Sequence, residues 1–273
     1  GGGPGAFNPE PLAPFFDAFL LGDGEEAIIE IVSVVRQWKQ QGHRSKSELL
    51  ELLSRIEGVY VPAFFDVGYH ADGTVAAITP VIAGYEQVRR RFVADLETAA
   101  FPDQPIVPFM KTIHDRVAVE VARGCTRGCR FCQAGYIYRP LRERSAERIE
   151  ALIQASLKAS GYDEISLLSL STGDHSCIGP LLQDLMQRYA ESRVAVSLPS
   201  LRVGTLTAEL IEEIRKVRKT GFTLAPEAGS ERMRRVINKG ITEADLLEGA
   251  ANIFGAGWRT IKLYFMMGLP TET

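Results

Sequence analysis

The chain has 273 residues, 45% of them hydrophobic, and a formal net charge of −3. That balance suits one large α/β domain, or a domain with a fragment of another, and excludes the global positive field of a non-specific nucleic-acid binder. No apolar run approaches the roughly 20 residues of a membrane span, and four cysteines, three of them clustered, do not make a secreted disulfide framework, so a cytoplasmic, reduced setting is expected.

Gly1-Gly2-Gly3-Pro4 opens the chain without a Met, and it stops at Gly268-Leu269-Pro270-Thr271-Glu272-Thr273 just after a strand-like run, so it reads as a segment of a longer protein. Residues 1–42 predict a glycine-rich opening, a helix at 11–16, a strand at 18–21 and a helix over 25–41, the pattern of the tail of a Rossmann-like domain. Residues 43–115 read as a linker subdomain with a helix over 47–56 and a hairpin turning at Asp72-Gly73.

From residue 116 onward, short apolar runs alternate with amphipathic helical stretches. Strands are expected at 117–122, 164–171, 194–199, 222–226 and 260–267. Between them, Ser145 caps a helix with Ile149, Leu152, Ile153 and Leu157 on one face, ending at Gly161. A second helix covers 177–191, and Thr207 caps a third with Leu210, Ile211, Ile214 and Val217 in line. Thr242 and Asp245 form a capping-box signal for a fourth, with Leu246, Leu247, Ala250 and Phe254 on its face. Five βα repeats with short connections imply a parallel sheet, most simply an incomplete barrel over 116–273, with an open doubly wound sheet as the alternative.

The segment RGCTRGCRFCQAG, 123–135, places Cys125, Cys129 and Cys132 in a C-x3-C-x2-C loop directly after the first barrel strand. Four thiolates would complete a structural zinc site or fully ligate a cubane cluster. Three grip a [4Fe–4S] cube and leave its fourth iron open, and an open metal position is what catalysis requires. The loop also falls at the C-terminal mouth of the strands, where α/β barrels gather their chemistry. A zinc site completed by a remote ligand such as Cys177 or a histidine is the other reading.

With Phe131 preceding the third cysteine, the loop resembles the signature of the radical SAM superfamily, and the resemblance runs from strand one to the end of the chain. It is closest to radical SAM proteins with an N-terminal cobalamin-binding-like domain, and more distant from methylthiotransferases. The resemblance implies a partial parallel (β/α)6 barrel truncated after strand five. It also implies a [4Fe–4S] cluster on the three cysteines, and S-adenosylmethionine (SAM) chelating the open iron. Reductive cleavage of SAM to a 5′-deoxyadenosyl radical follows from the same resemblance, with a reductant such as flavodoxin or ferredoxin as partner. The substrate is left open, RNA or protein being the classes that relatives suggest.

By the same resemblance, the strand ends carry the SAM contacts. In STGD, residues 171–174, the family places a glycine-rich, acidic-ended turn for the SAM amino group; Thr172, Gly173 and Asp174 stand there, without the common Gly-Gly-Glu form. Ser200 and Arg202 match a Ser-x-Arg pattern, with Arg202 suited to the carboxylate and Ser200 to the sugar. Glu227 stands where relatives hold the ribose hydroxyls, and Gly268 in a turn against the adenine. Each has a plainer reading: Asp174 and Glu227 as helix caps, Arg202 in a rim salt bridge, Gly268 in a simple strand exit. No catalytic side chain is named by the pattern.

Arg123, Arg127, Arg130, Arg139, Arg142 and Arg144 surround the loop, interleaved with Phe131, Tyr136 and Tyr138. Such a set serves RNA, an electron donor, or only a solvated rim. Glu120 and Lys262 lie inside strand candidates and are expected to face each other or a substrate. Two rival functions accompany the leading one. Cobalamin-dependent radical methylation needs a histidine loop upstream of these residues. A non-catalytic iron–sulfur module would have no use for a SAM pocket.

Overall fold

The computed structural model describes residues 1–42, 45–199, 201–205, 211–212, 215 and 221–273. Contacts divide the chain into two compact units, Gly1–Ala94 and Asp95–Thr273.

In the first unit, the predicted helix at 11–16 is instead a 3-10 helix, Glu10–Phe15, with Pro14 inside it lacking the amide that an α-helix would bond back to Glu10. Strand β1 (Phe19–Leu20) pairs antiparallel with β2 (Val59–Tyr60). Helix α1 covers Ala27–Gln40 and α2 covers Lys46–Ser54, the latter capped by Ser45, whose hydroxyl accepts from Glu48 N–H. Strands β3 (Phe65–Tyr69) and β4 (Val75–Pro80) form the expected hairpin. Asp72 closes its turn by accepting from Thr74 N–H at 3.0 Å and Thr74 Oγ1 at 2.6 Å. Leu50, Leu53, Ile56, Val59, Val61 and Phe64 form the core of this unit.

The second unit holds the five expected strands: β5 (Val117–Glu120), β8 (Glu164–Leu168), β9 (Ala195–Ser197), β10 (Phe222–Glu227) and β11 (Ile261–Phe265). Strands β5, β8 and β9 pair in parallel in that order, and β10 pairs in parallel with β11. This is a partial α/β barrel. Two short strands escaped the sequence reading: β6 (Ala122–Arg123) and β7 (Arg142–Glu143) form an antiparallel ladder around the cysteine loop.

Helices α3 (Gln133–Ile137), α4 (Ala146–Ser160), α5 (Ile178–Tyr189), α6 (Glu231–Val236) and α7 (Glu243–Gly255) connect the strands. Ser145 caps α4 by accepting from Arg148 N–H at 3.0 Å, and Gly161 ends it in the left-handed region that suits glycine. Ile149, Leu152 and Ile153 of α4 pack with Val119, Ile165, Leu167 and Leu185 in one core. The capping box at Thr242 forms as expected, but α7 buries Gly249 and Ile253, while Leu247 and Phe254 are exposed. These two lie roughly 120–140° around the helix from the middle of the buried stripe. The helix expected after Thr207 falls outside the described residues, apart from Ile211, Glu212 and Arg215. Among the described residues, no helix is long and apolar enough to cross a membrane.

Candidate active site

Every strand of the barrel delivers a segment to the same end. The Cβ that Gly124 lacks would fall 2.5 Å from Tyr138 O and 2.7 Å from Pro140 O, and its φ of +92° suits only glycine well. The chain can therefore press against its own return at 138–141 just before Cys125. The three cysteines are free and partly buried. Backbone amides turn toward the sulfurs: Gly135 N–H lies 3.3 Å from Cys132 Sγ, and Arg127 N–H 3.5 Å from Cys125 Sγ. Cys132 also caps α3.

A cavity of about 310 Å³ lies among these strand ends, with Cys125, Cys129 and Cys132 on one wall. Phe131, Arg202 and Glu227, all singled out from sequence, line it too, as do Arg127, Lys239 and Tyr264, which were not singled out as SAM contacts. Glu227 has φ +67° at a register shift where β10 meets β11, a conformation that costs a non-glycine residue energy and is common at functional sites. Its Oε1 accepts from Lys239 Nζ at 3.1 Å, with side-chain exposures of 14% and 11%. Lys239 Nζ also sits 5.7 Å above the Phe131 ring. Arg202 donates to the backbone oxygen of Lys239 and to that of Gly240, the latter at 3.1 Å.

Asp174 stands at the cavity's edge rather than in its lining. It accepts from Arg127 Nε at 2.8 Å and from Ser171 Oγ at 2.7 Å. The Arg127 guanidinium holds its carboxyl below the usual aspartate range, against the opposing effect of burial. Thr172 is fully buried, and its hydroxyl pairs with Ser169 Oγ at 3.0 Å and Leu167 O at 3.3 Å, pinning the turn. Gly173 packs on Thr205, whose Oγ1 would be 2.2 Å from an added Cβ. Gly268 forms a turn in which its N–H donates to Glu272 Oε2 at 2.6 Å. Ser200 lies outside the described residues.

The donor set fits an iron–sulfur cluster: three soft sulfurs share one wall, and amides and cations stand ready for their negative charge. Among the described residues, no three His, Cys, Asp or Glu side chains converge closely enough for a single metal ion. Cys177 is not among the described residues lining the cavity; its Sγ lies 3.6 Å from His175 Nδ1. Burial and the nearby Glu143 and Glu147 push the Cys177 thiol up from its ordinary value.

Comparison with known proteins decides the family. Residues 119–273 match the model of the radical SAM superfamily. The chain belongs to the radical SAM superfamily. Its family cofactors are the [4Fe–4S] cluster and SAM. Residues 1–62 match the N-terminal model of radical SAM proteins. An uncharacterised protein of Methanocaldococcus jannaschii is 29% identical over 96% of this chain and 50% of its own length. A ribosomal protein uS12 methylthiotransferase of Desulfotalea psychrophila is 27% identical over 91% of this chain and 54% of its own length. The chain thus spans about half the length of the curated relatives it matches. Among solved structures, the radical SAM methyltransferase TsrM of Kitasatospora setae superposes with a TM-score of 0.62 at 15% identity, over 100% of this chain and 50% of that one. The cobalamin-dependent radical enzyme OxsB gives 0.60 at 12%, over 97% of this chain and 35% of that one. These last two support the fold.

The arginines around the radical SAM loop have partners within the chain. Arg123 pairs with Glu120, whose Oε2 is 2.7 Å away. Arg144 is buried and donates to Glu120 O at 3.0 Å, and Arg139 lies 4.5 Å above the Tyr136 ring. Glu120 is therefore held by Arg123, and Lys262 rests 4.7 Å above Tyr264.

Proposed function

We propose that the chain is the SAM-cleaving core of a radical SAM enzyme, with Cys125, Cys129 and Cys132 as the cluster ligands. One observation carries this reading: a single cavity collects the three thiols, Arg202 and Glu227 at the strand ends. SAM presents an ammonium, a carboxylate, a sulfonium and two ribose hydroxyls. Arg202 offers its guanidinium to the carboxylate and Glu227 accepts from the hydroxyls, while Asp174, paired with Arg127 outside the lining, would reach the ammonium only by giving up that pair. Phe131 and Tyr264 supply apolar walls that thin the water around the sulfonium. One-electron reduction of SAM, the chemistry a [4Fe–4S] cluster supplies when bound, yields methionine and a 5′-deoxyadenosyl radical able to take hydrogen from a substrate.

The electron comes from a low-potential partner such as flavodoxin or ferredoxin, in the cytoplasm. The substrate class is RNA or protein, by likeness to methylthiotransferases. RNA contact through the loop arginines is disfavoured, because several already hold partners inside the chain.

The test uses full-length protein reconstituted anaerobically with iron and sulfide. Reduced protein plus SAM should release 5′-deoxyadenosine and change its EPR spectrum, and Cys129→Ala should do neither. A cluster whose spectrum ignores SAM would overturn the reading and leave an iron–sulfur module. Corrinoid absorbance in the same preparation would extend the reading to cobalamin-dependent methylation.

A further inference from the structure

Helix α6 ends at Val236, and the four residues 236–239 reach back to the cysteine loop from more than a hundred positions away. Ile237 O accepts from Arg130 N–H at 2.9 Å, and Val236 O accepts from Arg130 Nη1 at 2.5 Å. Asn238 Nδ2 donates to Gly128 O at 2.8 Å. Lys239 lies over Phe131 and binds Glu227. These contacts touch Gly128, Arg130 and Phe131, which flank Cys129 on both sides.

The stretch is itself held rigidly. Arg234 is 3% exposed, and its guanidinium donates to Ile241 O at 2.8 Å, Ala228 O at 3.0 Å and Gly229 O at 2.8 Å. One buried cation thus ties together the backbone before and after the helix. Asn238 adopts φ +54°, a left-handed conformation that asparagine tolerates better than most residues, and this aims its amide at the loop.

We propose that residues 236–239 are a clamp on the cluster loop, and that Asn238 and Lys239 are positioning residues. Asn238 fixes the backbone between Cys125 and Cys129. Lys239 links the loop, through Phe131, to Glu227, so occupation of the ribose site and the geometry of the cluster are coupled. The proposal rests on the reading of Cys125, Cys129 and Cys132 as cluster ligands and of Glu227 as the ribose contact.

The experiment compares full-length parent, Asn238→Gly, Lys239→Met and Lys239→Arg proteins after anaerobic reconstitution. Asn238→Gly keeps the left-handed backbone and removes only the amide. Its cluster absorbance should decay about fivefold faster under an iron chelator, the ratio one lost hydrogen bond brings. The melting temperature of its cluster-free form should fall by less than about 4 °C. In Lys239→Met, the SAM concentration that changes the EPR spectrum should rise about tenfold, and Lys239→Arg should stay near the parent. A parent that takes up no iron would overturn the ligand reading beneath the clamp. A stable parent cluster, with Asn238→Gly losing iron at the same rate, would overturn the clamp itself. An unshifted SAM response in Lys239→Met would sink the coupling.

Discussion

Arg127 and Asp174 form a two-pronged ion pair that joins the cysteine loop to the turn after β8, with Arg127 Nε 2.8 Å from Asp174 Oδ2. Arg127 lowers the Asp174 pKa from 3.8, so the pair's contribution is fully present above that value and is lost as pH falls through the lowered one. The difference in melting temperature between parent and Asp174→Asn should therefore be constant from about pH 5 to 8 and shrink below about pH 4. A difference that grows on acidification would contradict the pairing.

Glu227 and Lys239 make a second pair in a drier place. Glu227→Gln leaves the Lys239 ammonium without its counter-charge and should cost about 2 kcal/mol in urea unfolding. Adding Lys239→Met should restore most of that loss, because both charges are then gone. Equal stabilities for the single and double variants would show that the two side chains do not couple.

Gly124→Ala places a methyl 2.5 Å from Tyr138 O and 2.7 Å from Pro140 O. Neither is the end of a flexible side chain, so the strand ladder around the loop must part. Reconstituted iron should drop to less than about half of the parent value, while far-UV circular dichroism stays unchanged; undiminished iron would show that the close approach is dispensable.

Leu167 is fully buried in β8, between the two parallel partners β5 and β9. Leu167→Ala should cost about 3 kcal/mol in denaturant unfolding, the ordinary outcome of a large-to-small change in a close-packed core. A cost below about 1 kcal/mol would mean that the neighbours collapse into the gap.

The strands of the barrel were legible because each is a short apolar run bounded by caps and turns, and the α4 face because Ile149, Leu152 and Ile153 recur at helical spacing. The cysteine triplet was legible from its spacing, whereas Arg202 and Glu227 were named only by resemblance to family patterns at strand ends. The structure sets both in the lining of the cavity that holds the cysteines. The Lys239 pairing with Glu227 was not: Lys239 follows α6 inside a run of charges, and its partner lies 12 residues back on a strand. Nor was the Arg127 pairing with Asp174, 47 residues apart, since an ion pair between distant turns leaves no periodic trace. The ladder of β6 and β7 was missed because two-residue strands are too short to show alternation.

That ladder makes the cysteine segment a closed ring: Ala122 opposite Glu143 and Arg123 opposite Arg142 pin both ends of residues 124–141. Joining the ends of 18 free residues costs on the order of 2.6 kcal/mol in loop entropy. The ladder meets that cost through backbone pairing at the neck rather than through the thiols. The ring acts as a preorganised macrocycle, in the sense of the chelate effect, and its metal affinity should depend on the strand contacts at its neck as well as on the thiols at its rim.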